Sequence, residues 1–151
     1  GKIVRKIIFY EFDIQNIVWA LRLKLNYGYS DEEVIQRLMF VTEKPSLKDP
    51  LCANAIKVLS KNPEQYSDWE NWVYSGYINP KESNDLWKIE PSWIEKKARS
   101  VQNRKALMLF HNYPLTSESL FGWFKVKQYE LGLIRMAVES IRLNETVALE
   151  V

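Results

Sequence analysis

Cysteine and histidine are almost missing from this chain of 151 residues, which has one of each. Cys52 alone excludes an internal disulfide and any zinc site built on cysteine pairs. The lack of disulfides fits a reducing compartment. With its apolar neighbours Leu51 and Ala53, Cys52 is expected to be a buried, inert thiol. His111 alone excludes a paired-histidine metal site and a paired His/Cys device. At a predicted helix end it can meet free carbonyls, and that structural role is favoured over catalysis. Glycine and proline are scarce, at 5 and 6, which disfavours an all-β fold rich in turns. No apolar run approaches the ~20 residues of a membrane span, and no secretory signal pattern is present. Neither G-x-x-x-x-G-K-(S/T) nor G-x-G-x-x-G occurs, which argues against nucleotide binding by those routes.

What is present is apolar and helical. Hydrophobic residues make up 46%, enough for a sizeable core, and the length suits one domain or two small helical lobes. A charged fraction of 26% argues against disorder. The net charge of +2 is too small to imply a nucleic-acid or acidic partner. Six Trp predict some aromatic residues near surfaces or interfaces, where the indole N–H finds a partner. The chain opens on Gly1 without Met and runs at once into Ile3 and Ile7. That suggests a piece of a longer polypeptide, with Gly1 a tag remnant.

Ile3, Ile7, Tyr10, Ile14, Ile17, Val18, Leu21 and Leu25 recur at spacings of 3 and 4 and predict one long helix. Gly28 then reads as its C-cap. Ser30 with Glu33 forms a capping box, and Asp31 and Glu32 complement the dipole of the next helix. Val34, Ile35, Leu38 and Met39 are its expected apolar face, ending before Pro45. Residues 45–50 read as a loop and 51–61 as a short helix. Asn62-Pro63 starts another helix, with Tyr66, Trp69, Val73 and Tyr77 on one face. Residues 80–90 read as loop, or as a helical turn around Leu86 and Trp87. Pro91 opens the next helix, with a weaker stripe of Ile94, Ala98, Val101, Leu107 and Met108. Thr116 or Ser117 caps the last one. There Leu120, Phe124, Leu131, Ile134, Val138 and Ile141 keep 3/4 spacing over six turns. The tail from Thr146 to Val151 reads as a frayed end or a small strand. The fold class is therefore all-α, one helical domain over 1–151 or two similar lobes, about 1–62 and 63–151. Tyr10-Glu11-Phe12 and Tyr129-Glu130-Leu131 sit in similar long helices, a weak repeat.

Carboxylates occur in pairs. Asp31, Glu32 and Glu33 are explained by capping, and Glu11/Asp13 and Asp68/Glu70 read as solvated faces. The tract Lys96, Lys97, Arg99, Arg104 and Lys105 reads as a solvated helix face before it reads as an RNA or lipid contact. The aromatic cluster from Tyr66 to Trp93 reads first as core and second as interface.

Two stretches carry a family resemblance. Asp13-Ile14-Gln15-Asn16-Ile17-Val18-Trp19-Ala20-Leu21-Arg22-Leu23-Lys24, followed by Tyr27-Gly28-Tyr29-Ser30-Asp31-Glu32-Glu33-Val34, resembles D-x-x-N-(L/I)-x-x-x-L-R-x-K…Y-G-x-S-x-E-E-(I/V). That is a helix–turn–helix of the C-type (also called d-type) subunits of V-type and archaeal A-type ATPases. Lys127-Gln128-Tyr129-Glu130-Leu131-Gly132-Leu133-Ile134-Arg135 resembles the family's late K-x-x-E-x-x-N-I-R, with Leu133 in place of the Asn. The motif positions are then Asp13, Asn16, Leu21, Arg22, Lys24, Gly28, Ser30 and Glu33, with Glu130, Ile134 and Arg135 in the second stretch. The resemblance implies a divergent bacterial branch with its N-terminal third removed. An Asn inside an amphipathic helix is costly unless its amide is paired. Asn16 and the Tyr27-Gly28 corner therefore read as architectural devices.

The resemblance further implies a cup of helical lobes that sits on the membrane rotor ring and receives the central stalk. Such an adaptor carries torque between ATP hydrolysis elsewhere and proton or sodium movement, with no active site, metal or cofactor of its own. It would be peripheral on the cytoplasmic face, without a span of its own, and would bind D/F-type stalk subunits and the ring rather than nucleic acid. Two readings remain beside it: an unrelated helical protein-binding scaffold, and a helical RNA-binding module using the basic tract.

Overall fold

The structure is a computed structural model and describes residues 1–82 and 86–143. In chain order the helices are α1 (Lys2–Tyr27), α2 (Asp31–Ile35), α3 (Ala53–Leu59), α4 (Ser67–Glu70), α5 (Pro91–Asn112) and α6 (Ser117–Arg142), with a 3-10 turn at Ser75–Tyr77 between α4 and α5. No strand occurs among the described residues. The fold is all-α, as the periodicity predicts. The chain packs as two compact units, Lys2–Ser100 and Val101–Val151, the latter with Gly1.

In the first unit, α1 is the organising element. Ile14, Ile17, Val18 and Leu21 on one face of it, and Leu23 on the opposite side, share one core cluster with Val34, Leu38, Ala55, Val58 and Leu59. Gly28 ends the helix at φ +68°, a left-handed conformation in which a side chain is strained. Tyr29 N–H closes the turn onto the Leu23 carbonyl at 3.2 Å. The predicted capping box is formed. Ser30 N–H donates to Glu33 Oε2 at 2.9 Å, and Glu33 N–H donates to Ser30 Oγ at 3.3 Å.

Two expected helices are shorter than their stripes. α2 stops at Ile35 and does not run on through Met39. Its last turn tightens into i→i+3 bonds, Arg37 N–H to Val34 and Leu38 N–H to Ile35. Beyond it, side chains from elsewhere take the backbone groups of Met39, Val41 and Thr42. The helix expected from Asn62 to Tyr77 is broken into the short α4, the 3-10 turn and tight turns between them. Trp69, Trp72, Ser75 and Tyr77 each donate to the carbonyl three residues back. Turning this way brings Trp69 and Trp72 into edge-to-face contact, ring centroids 5.3 Å apart, and leaves Val73 exposed. Trp69, Trp72 and Trp87 are core residues, whereas Trp93 is half exposed. Leu86 and Trp87 lie in irregular chain with no helical turn. The tail beyond Leu143, with the frayed end or strand expected there, lies outside the described residues.

In the second unit, Thr116 is the N-cap of α6, accepting from Ser119 N–H at 3.3 Å. Gly122 lies against α5. A Cβ there would sit 2.6 Å from the Ala106 carbonyl oxygen and 2.9 Å from the Phe110 nitrogen, so only glycine permits this approach. The expected stripe of α5 does not hold in its second half. Leu107 and Met108 are exposed, and Ala106 and Leu109 are buried instead. The long stripe of α6 also faces outward: Leu120, Phe124, Leu131, Ile134, Val138 and Ile141 are all exposed.

Candidate functional site

The first family-like stretch folds into a connected set of buried polar groups on α1. Asn16 is 1% exposed and has three backbone partners. Its Oδ1 accepts from Met39 N–H, and its Nδ2 donates to the carbonyls of Met39 and Leu51, each at 2.8 Å. One amide thus replaces the missing secondary-structure partners of two chain segments far apart in sequence. α1 holds the chain between α2 and α3 by hydrogen bonds as well as by apolar packing.

Asp49 completes that arrangement, although its place in the 45–50 loop predicts no role for it. Its carboxylate is fully buried. Oδ2 accepts from the backbone N–H groups of Val41 and Thr42 and from Thr42 Oγ1. Oδ1 accepts from the N–H groups of Leu51 and Cys52, at 2.8 and 3.2 Å. Burial pushes its pKa up, but these donors outweigh it and hold Asp49 well below the usual carboxylate range. The loop 41–52 is wound around a negative charge.

Asp13 is buried at 6% exposure, which overturns its expected place on a solvated face. Its Oδ2 accepts from Tyr74 Oη at 2.6 Å and from Asn54 Nδ2 at 2.8 Å, while Oδ1 is buried without a partner. Desolvation dominates and raises its pKa, against the two hydrogen bonds and Lys57. Beside it, Tyr10 Oη donates to Tyr77 Oη at 3.0 Å. Burial raises the pKa of Tyr10 and Tyr74 beyond any physiological range, so both stay neutral donors.

The other α1 positions are structural too. Leu21 is core. Arg22 pairs with Glu95 of α5 at 2.6 Å, and Lys24 pairs with Asp31 at 2.8 Å and also donates to the Leu59 carbonyl. Between α1 and the Met39 segment lies an open cleft of about 380 Å³, lined by Asn16, Trp19, Arg22, Arg37, Met39 and Glu95. Its one carboxylate is already held by Arg22. The second stretch behaves differently. Glu130 bonds to Lys127 at 2.7 Å on the surface of α6, and Ile134 and Arg135 are exposed.

Cys52 is fully buried, and burial first of all raises its pKa, so it stays a thiol. His111 is exposed on the last turn of α5, its ring 5.2 Å from that of Phe110. Among the described residues, no group of three or more His, Cys, Asp or Glu side chains could hold a metal ion. No helix there is long and apolar enough to cross a membrane.

The family model described as "ATP synthase (C/AC39) subunit" matches residues 1–148. The chain belongs to this family. The match runs through both compact units and both family-like stretches. No curated protein and no solved structure matches the chain. As a C/AC39 chain it is a subunit of a V/A-type rotary ATPase. Asp49, Asn54 and Tyr74 carry no mark of partnership in the sequence. The one available signal is an acidic residue between Pro45 and Pro50 beside an apolar Leu51-Cys52 pair.

Proposed function

We propose that this chain is the rotor adaptor of its ATPase, joining the central stalk to the membrane ring and supporting proton or sodium transport. The observation that carries the reading is the family match over residues 1–148. The geometry agrees with a mechanical part. Asn16 and Asp49 replace flexible loop solvation by buried, directional bonds to Met39, Val41, Thr42, Leu51 and Cys52. A body that transmits torque is helped by such cross-links, because loops tied to a helix yield less under load. In this reading the adaptor has no active site, holds no cofactor, and lies peripherally on the cytoplasmic face. D/F-type stalk subunits are the expected partners.

The test is co-elution. The full-length protein, mixed with the purified D/F-type stalk pair, should run as one complex on size exclusion and should also bind the detergent-solubilised ring. Failure to bind either would overturn the adaptor reading.

A further inference from the structure

We propose that the outward face of α6 is one half of a coiled coil whose other half is an acidic amphipathic helix of another polypeptide. The outward residues are spaced 4, 3, 4, 3, 4, 3: Leu120, Phe124, Lys127, Leu131, Ile134, Val138 and Ile141. That is an unbroken 3.5-residue repeat along the helix, with one polar position at Lys127. A helix lying on a globular core shows a broader stripe of period 3.6. A 3.5-residue repeat is the spacing that keeps an apolar seam facing a partner helix when two helices wind together, and on α6 that seam is exposed rather than packed. The apolar members are between 58% (Phe124) and 76% (Ile141) exposed, and they form a continuous line. The opposite face, which a coiled coil normally leaves to solvent, is the covered one here. It carries Gly122, Val126, Tyr129, Leu133 and Ser140, all buried or half-buried. The inversion means that α6 has its own support and still presents a full seam.

Charge decides the partner. With Phe124, Leu131 and Val138 taken as a positions, Arg135 and Arg142 fall at e and Glu130 at g. Glu130 is engaged by Lys127 at 2.7 Å. The flank that remains is basic, so the complementary helix carries Glu or Asp opposite Arg135 and Arg142. A second copy of this chain fits less well. A parallel pairing would gain Glu130–Arg135 bridges but would bury Lys127 against its own copy. An antiparallel pairing sets e positions against e positions, none of them acidic.

The proposal stands whether or not the chain joins stalk and ring. Two labelled synthetic helical peptides test it by fluorescence anisotropy against the full chain. Both have Leu along the seam; one has Glu flanks and the other Lys flanks. The acidic peptide should bind tighter by about tenfold at low salt. The exposed double charge reversal R135E/R142E, which leaves the apolar seam intact, should invert that preference. Leu131→Asp should abolish binding with the far-UV helical signal retained. Equal binding of the two peptides, binding of neither, or a preference unmoved by R135E/R142E would each overturn the proposal. So would a dimer in solution that Leu131→Asp dissolves, because it would assign the seam to a second copy.

Discussion

Asn16 and Met39 exchange two hydrogen bonds, each 2.8 Å long, through the side-chain amide of one and the backbone of the other. The amide stands in for a paired strand residue where no strand exists, and Nδ2 also reaches the Leu51 carbonyl. Asn16→Leu would remove the partner of three backbone groups, the N–H and carbonyl of Met39 and the buried Leu51 carbonyl. The expected loss of stability is about 2–4 kcal/mol, read as a lower urea midpoint. Asn16→Asp should also destabilise, since a carboxylate cannot donate to the two carbonyls.

Asp49 makes stability depend on acid. Its folded pKa is lowered, so its contribution is fully present above the unfolded value of about 3.9 and is lost as pH falls below it. Asp49→Asn should weaken the protein at neutral pH, because an amide N–H₂ would face backbone donors. The variant should also flatten the loss of stability below about pH 4. Urea midpoints measured from pH 7 down to pH 3 check both effects.

Asp13 has the opposite sign. Its folded pKa is raised by burial, so its unfavourable ionisation is felt as pH rises through that raised value. Asp13→Asn can keep both accepted bonds, from Tyr74 and Asn54, on one oxygen. The variant should therefore gain stability relative to the parent between acid and neutral pH. A parent chain equally stable relative to Asp13→Asn at pH 4 and pH 7 would contradict this.

Two glycines of α6 should respond oppositely to alanine. At Gly122 the new methyl group would meet the Ala106 carbonyl and the Phe110 nitrogen, which are backbone atoms that cannot step aside. The expected cost is about 1–3 kcal/mol. At Gly132 nothing lies within 4 Å, so alanine should stabilise by about 0.5–1 kcal/mol through helix propensity. Paired thermal melts give the comparison.

How much of the fold and of the buried polar set is legible in the sequence follows the reach of each interaction. The Gly28 turn and the Ser30–Glu33 box span a few residues, and both appear as the spacing predicts. The need for a partner at Asn16 is legible too. Its identity is not, because Met39 and Leu51 lie 23 and 35 residues away. The burial of Asp13 escapes prediction for the same reason, since Tyr74 covers it from 61 residues away. The aromatic segment 66–77 has helical spacing. Yet the chain there closes i→i+3 turns, in which Trp69 and Trp72 pack edge to face. On α6 the periodicity reports that a face needs cover. It cannot report that the face stays exposed among the described residues.

The central claim is that this chain connects the two halves of a rotary motor. The direct measurement is ATP-driven ion uptake into vesicles bearing the complex assembled with and without the full-length protein, alongside ATP hydrolysis. Without it, hydrolysis should persist while proton or sodium uptake is lost, and adding the purified protein back should restore uptake. Uptake that proceeds undiminished in its absence would contradict the account.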